Sequence, residues 1–196
     1  MSEQKVAFGL FILGALLFAA AVAAPFWSDD IDGKAFLCMI LFGLPYVLRA
    51  LARRTNWLAV LYLVLLVPAF FVAAWIAALY TWGAMNGGSL VPPSGAMLVA
   101  GLAGGLVGSV LSFLALFLPG LRVAGARPAL MIAGIALLTA LGGVGLEMAD
   151  TGAAWSQVLW LFLPWQIVFG YFLSRLLRPS PAKSLRDAEV AAIGGP

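Results

Sequence analysis

The sequence predicts an all-α membrane protein, a polytopic bundle of six transmembrane helices with both termini in the cytoplasm. Of the 196 residues, 64% are hydrophobic and 10% are charged, whereas soluble domains are roughly 45–50% apolar and about 25% charged. The apolar residues form six stretches close to the length of about 20 residues that a helix needs to cross a bilayer. These spans are 6–26, 35–51, 57–80, 94–118, 128–146 and 155–177.

The distribution of Lys and Arg predicts the orientation of these spans. If the N-terminus is cytoplasmic, only Lys34 of the 11 basic residues falls outside the cell. This asymmetry follows the positive-inside rule, and it predicts a multi-pass protein of the inner (cell) membrane. We expect residues 1–178 to form one transmembrane domain and residues 179–196 to form a short cytoplasmic tail.

The first span has a second interpretation, as a signal peptide. Lys5 precedes an apolar run, and Ala21-Val22-Ala23 supplies the small residues of a cleavage site. The run is longer than the apolar region of most signal peptides, so the sequence favours an uncleaved span. Cleavage would leave five spans.

The residue types that carry most enzyme and metal chemistry are missing. The sequence has no His, which excludes imidazole bases and nearly all zinc, copper and non-haem iron sites. Its single cysteine, Cys38, cannot form an intramolecular disulfide. The sequence therefore predicts no cofactor, no metal and no nucleic-acid partner, and it favours a non-enzymatic role over an enzymatic one.

Small residues predict close helix packing in the fourth and first spans. The segments Gly101-xxx-Gly105 and Gly104-xxx-Gly108 are overlapping GxxxG motifs, which allow two helix backbones to approach closely. Two interpretations remain open, namely packing within this chain and contact with another membrane subunit. The predicted packing interface consists of Gly101, Gly104, Gly105, Gly108, Ser112, Ala15, Ala19 and Ala23.

Polar side chains within the spans are few, and three of them are candidates for contact with a ligand. Glu147 lies at the outer end of the fifth span, where it is either an interfacial carboxylate or a site residue. Gln166 in the sixth span needs a partner on a neighbouring helix or a ligand, and Tyr62 lies in the third span. No Asp, Glu, Lys or Arg falls at the centre of a predicted span.

Arginines on the cytoplasmic side of the predicted bundle form a basic collar. Positive-inside sorting explains such a collar, and contact with anionic lipid headgroups is compatible with it. The predicted headgroup contacts are Arg49, Arg53, Arg54, Arg122, Arg127, Arg175 and Arg178.

Three functional hypotheses follow. The first is a non-catalytic subunit or assembly partner of a larger membrane complex, as a homo- or hetero-oligomer. The second is a small permease or substrate-binding membrane component for an apolar or weakly polar solute, because Pro45, Pro68 and Pro164 predict kinked helices of the kind that line transporter sites. The third is a lipid-modifying enzyme with carboxylates at the outer face. Those carboxylates are Asp29, Asp30, Asp32, Glu147 and Asp150.

Overall fold

The predicted all-α bundle of six helices is confirmed. A computed structural model of the protein describes residues 3–24, 31–53, 57–87, 94–118, 121, 128–149 and 154–177, and for 31–38 and 154–158 it describes the backbone alone. Each predicted span corresponds to one helix. The helices are α1 (Glu3–Ala23), α2 (Ile31–Ala52), α3 (Trp57–Asn86), α4 (Ala96–Ala115), α5 (Pro128–Ala149) and α6 (Ala154–Leu176).

The helices form a ring in chain order. Each helix packs against the next one, and α6 returns to pack against α1. Arg53 at the end of α2 forms an ion pair with Glu3 at the start of α1, with 3.3 Å between Nη1 and Oε1. The rings of Phe8 and Tyr171 meet edge to face at 5.8 Å, which places the start of α1 beside the end of α6. Both ends of the described chain therefore lie at the same end of the bundle, and the side of the membrane they face stays a prediction.

The outer surface of the bundle is apolar on every helix. Large side chains such as Leu16, Leu65 and Ile132 are more than half exposed, and helices that are apolar all round are typical of membrane spans. Within the described residues, five helices are long and apolar enough to cross a membrane, and α2 adds the shorter apolar stretch Met39–Ala52. The protein is therefore a multi-pass membrane protein. The predicted tail, 179–196, lies outside the described residues.

The described residues form two apolar clusters in the interior of the ring, one toward each end of the bundle. The larger one, at the end with the chain termini, includes the stacked rings of Phe11, Phe42 and Phe169. The smaller one, toward the opposite end, consists of Phe18, Val22, Met39 and Phe162. The candidate site lies where these two clusters meet.

Helix α3 contains a π-helical turn at Tyr62–Leu66. Pro68 has no N–H to donate to the carbonyl four residues earlier, and the N–H of Val67 donates to the carbonyl of Tyr62, five residues back. The Tyr62 hydroxyl donates to the carbonyl oxygen of Ser112 at 2.9 Å. That carbonyl is one of the last four of α4, which lack a partner within their own helix.

Helix α3 extends to Asn86, beyond the predicted boundary at residue 80. The Thr81 hydroxyl donates to the Ala77 carbonyl at 2.8 Å, so this polar side chain is satisfied within the helix. The helix ends at Gly87, whose φ of 52° is left-handed. Glycine adopts that conformation without steric penalty, which fixes the end of the helix there.

Removing the Tyr62 hydroxyl is expected to destabilise the protein. Tyr62→Phe leaves the Ser112 carbonyl unpaired in an apolar environment, and we expect a loss of about 1 kcal/mol in unfolding free energy. The measurement is unfolding of the purified protein in detergent micelles. Tyr80→Phe is the matched control, because Tyr80 is on the same helix and is 78% exposed. Equal stability of the two variants would contradict the role given to this hydrogen bond.

Candidate functional site

The four glycines of the fourth span lie on two faces of α4, each against a neighbouring helix of this chain. A Cβ added to Gly104 would lie 2.7 Å from the carbonyl oxygen of Ala74 on α3, which is closer than real contacts allow. A Cβ on Gly105 would lie 3.0 Å from the Thr139 carbonyl oxygen on α5. Gly108 likewise lies against α3, and Gly101 lies against the backbone of α5. Helices α3, α4 and α5 therefore form a tightly packed unit with α4 in the middle.

The other residues of the predicted packing interface are divided between the interior and the surface. Ser112 is buried and supplies the carbonyl that binds Tyr62. Ala15 is fully buried in the larger cluster, Ala19 is half-buried and Ala23 is exposed.

A cavity of about 60 Å³ lies between α3 and α6, above the glycine face of α4. Within the described residues, the backbones of α3 and α6 do not contact each other. The rings of Phe71 and Phe162 close the gap, with centroids 4.6 Å apart. The cavity is partly open and has an apolar lining. Residues of four helices line it. They are, from α3, Phe71, Ala74, Trp75 and Ala78; from α4, Gly101, Gly104, Gly105, Gly108 and Ser112; from α5, Gly142 and Leu146; and from α6, Leu161, Phe162 and Trp165.

Gln166 is fully buried in α6, at the junction of the two apolar clusters. Its Nε2 donates to the Sδ of Met39 on α2 at 3.3 Å. Its Oε1 has no hydrogen-bond partner among the described residues. Because thioether sulfur is a weak acceptor, both ends of this amide are poorly satisfied.

Glu147 connects the end of α5 to the start of α4. Its Oε2 accepts a hydrogen bond of 2.9 Å from the backbone N–H of Leu98, in the first turn of α4. The first N–H groups of a helix have no partner within it, and the positive end of the helix dipole favours a carboxylate there. In this position the carboxylate caps a helix of the bundle.

The structure does not bring the three candidate ligand residues together. Glu147 binds the first turn of α4 at Leu98, whereas Tyr62 binds the last turn of α4 at Ser112. Fourteen residues of helix separate these two contacts, which corresponds to about 21 Å. Gln166 lies on α6, beside the cavity wall that Trp165 and Phe162 form.

Three of the predicted headgroup arginines are described. Arg53 pairs with Glu3, the Arg175 guanidinium lies 5.2 Å from the centre of the Tyr171 ring, and Arg49 is half-buried. The others, Arg54, Arg122, Arg127 and Arg178, lie outside the described residues, as do the carboxylates Asp29, Asp30 and Asp150. In the described part of the chain, no group of three or more Cys, Asp or Glu side chains is placed to hold a metal ion.

The aromatic walls of the cavity were not predicted from the sequence. Phe71 and Trp75 are four residues apart, as are Leu161 and Trp165, so each pair occupies one face of its helix. This spacing is the available signal. It does not distinguish a cavity wall from a helix face against lipid, because both are apolar.

Comparison with protein-family models, with curated proteins and with solved structures finds no match to this chain. Among the described residues, the geometry that bears on function is a six-helix membrane bundle with an apolar cavity beside a buried amide whose Oε1 is unpartnered.

Methyl groups added to two different glycines are expected to have opposite effects. Gly104→Ala forces α3 away from α4, and we expect it to destabilise the protein by about 1–3 kcal/mol, as overpacking does. Gly9→Ala is the control, because a Cβ at Gly9 of α1 meets nothing within 4 Å. Alanine is a better helix former than glycine, so at that position we expect the free energy of unfolding to stay the same or to rise by up to about 1 kcal/mol. Unfolding in detergent measures both, and a Gly104→Ala protein as stable as Gly9→Ala would contradict the close contact.

Proposed function

We propose that this protein is a small substrate-binding membrane component of the permease type, for an apolar or weakly polar solute. The observation that supports the proposal is the cavity between α3 and α6. Ligand sites are usually concave and apolar, with a few polar groups that fix the orientation of the ligand. The cavity and the nearby Gln166 have these properties.

The size and lining of the cavity limit the chemistry of the solute. A volume of about 60 Å³ holds a few water-sized groups, since a cavity needs about 10–15 Å³ to hold one water molecule. It therefore accommodates a short hydrocarbon segment and not a whole bulky molecule. The aromatic walls and glycine floor favour a slender chain that packs closely against helix backbone.

The position of the π-helical turn is consistent with a binding site that changes shape. All four α3 residues that line the cavity follow Pro68 and the turn Tyr62–Leu66. π-Helical turns occur frequently at functional sites, and interrupted helices line sites in many transporters. Helix α3 thus has an irregular segment immediately before its cavity wall.

Filling the cavity is expected to abolish ligand binding. The probe is n-decanol, added to the purified protein in detergent micelles, and the measurement is the apparent Tm, which rises when a ligand binds the folded state alone. We expect a concentration-dependent rise for the wild type and none for Leu146→Phe, which places a larger side chain in the cavity. The control is Leu137→Phe on the same helix, because Leu137 is 46% exposed and does not line the cavity.

The control also separates binding from effects of the alcohol on the micelle, which act on all variants alike. A rise in Tm that persists in Leu146→Phe, or no rise in the wild type, would contradict the proposed function.

A non-catalytic subunit or assembly partner is the second candidate function, and a strip of small residues on α5 favours it. The strip consists of four exposed alanines that recur every three or four residues along one side of the helix, namely Ala129, Ala133, Ala136 and Ala140. Such strips allow a second helix to pack closely within a membrane. The glycine pairs of α4 lend this candidate less support, because they contact α3 and α5 of the same chain.

A bulky side chain in the alanine strip is expected to remove a bound partner. The measurement is co-purification from native membranes in mild detergent. If the protein works as a subunit, a second copy of this chain or a partner protein co-purifies with the wild type and with Ala20→Leu. It does not co-purify with Ala136→Leu. Ala20 is an exposed alanine of α1 and serves as the control. A wild-type protein that purifies as a monomer without partners would rule out this candidate.

The placement in the inner membrane with both termini in the cytoplasm belongs to the same proposal. The described arginines Arg49, Arg53 and Arg175 lie near the helix ends at which the described chain begins and ends. Arginines at this end are suited to contact anionic headgroups of the cytoplasmic leaflet.

A further inference from the structure

Gln166 is a buried polar group that packing does not explain. It is fully buried, its Oε1 has no partner among the described residues, and its Nε2 donates to the weakly accepting sulfur of Met39. Burial of a polar atom without a hydrogen bond destabilises a fold, whereas an apolar side chain of similar shape would not. Such an exception in a folded protein calls for an explanation.

The orientation of the amide is set by its neighbour. Sulfur in Met39 can only accept a hydrogen bond, so the N–H₂ group of Gln166 faces it. The carbonyl end has no hydrogen-bond partner in the part of the chain that the structure describes. The unsatisfied atom is therefore an acceptor, and a suitable partner must be a donor.

The amide lies close to the cavity, with Phe162 as the link between them. Phe162 lines the cavity, and it also belongs to the apolar cluster that contains Met39. Trp165, which precedes Gln166 in the chain, lines the cavity as well. The Phe162 ring meets the rings of Phe71 and Phe18 edge to face.

We infer that Gln166 is the polar recognition group for the ligand of this cavity. The ligand class is a hydrocarbon chain with one neutral hydrogen-bond donor, such as a long-chain alcohol or primary amide. The inference rests on the proposed substrate-binding function. The donor is neutral because the charged residues of the described helices lie in their first or last turns, away from this amide. A charged ligand group would be buried there without a counter-ion.

The test compares two probes that differ by one donor. n-Decanol donates a hydrogen bond, whereas its methyl ether has the same oxygen without a donor. Apparent affinities are obtained from the dependence of Tm on probe concentration in detergent micelles. We expect the wild type to prefer the alcohol about five- to tenfold, the factor that one additional hydrogen bond supplies.

The decisive variant is Gln166→Met, which keeps the length of the side chain and removes the amide. It is expected to bind the alcohol and the ether equally, at the affinity of the wild type for the ether. Without a probe its Tm is expected to rise, because an unpaired buried amide is gone. Gln4→Met on the exposed start of α1 is the control, and it should keep the wild-type preference.

A second variant keeps the inference testable if Gln166→Met folds poorly. Phe162→Leu replaces the ring that belongs to both the cavity wall and the Met39 cluster with a smaller side chain, and the preference for the alcohol is expected to increase.

The failures of the two proposals are distinguishable. A preference for the alcohol that survives in Gln166→Met, or equal binding of both probes by the wild type, overturns the role of Gln166 and leaves the substrate-binding function in place. Binding of neither probe by the wild type overturns the proposed function itself, and the inference with it.

Discussion

The backbone contacts of α4 with α3 and α5 are the constraint on which the rest of the structure depends. Within a membrane, helices gain little from burying apolar surface, since lipid is equally apolar, so close van der Waals contact must hold them together. Gly104 and Gly108 permit that contact on one side of α4, and Gly101 and Gly105 permit it on the other. A single methyl group on either face would be placed against a carbonyl oxygen or a neighbouring side chain of the adjacent helix.

The same glycines also create the candidate site. Because they carry no side chains, α4 leaves a space beside its glycines, which the rings of Phe71 and Phe162 close on the side of α3 and α6. The residues that stabilise the bundle thus form the floor of its cavity. The amide of Gln166, whose Oε1 has no partner among the described residues, lies beside that cavity and near both apolar clusters.

The fold could be predicted from the sequence because membrane helices are determined locally, by length and apolarity. Helix α3 continues past the predicted span 57–80, since Thr81 satisfies its hydroxyl within the helix and the left-handed Gly87 sets the end of the helix. The GxxxG motifs predicted close packing but not which helices would take part, because that depends on contacts far apart in the chain. For the same reason Gln166 could be identified from the sequence as a candidate ligand residue, but neither its contact with Met39 nor the cavity next to it could be predicted.

The π-helical turn in α3 has a consequence for how this chain tolerates insertions and deletions. A π turn accommodates one residue more than an α-helical turn, and each residue of an α-helix rotates the chain by about 100°. Deleting one residue within Tyr62–Leu66 would therefore return this segment to a regular α-helical turn and keep every later residue of α3 in its present orientation. A deletion in the regular helix just after the turn would not be absorbed in this way, and Val72 and Ile76, now directed to the outside, would replace Phe71 and Trp75 in the wall. The π-helical turn is thus a place where the length of α3 can decrease by one residue while the interior of the bundle keeps its shape.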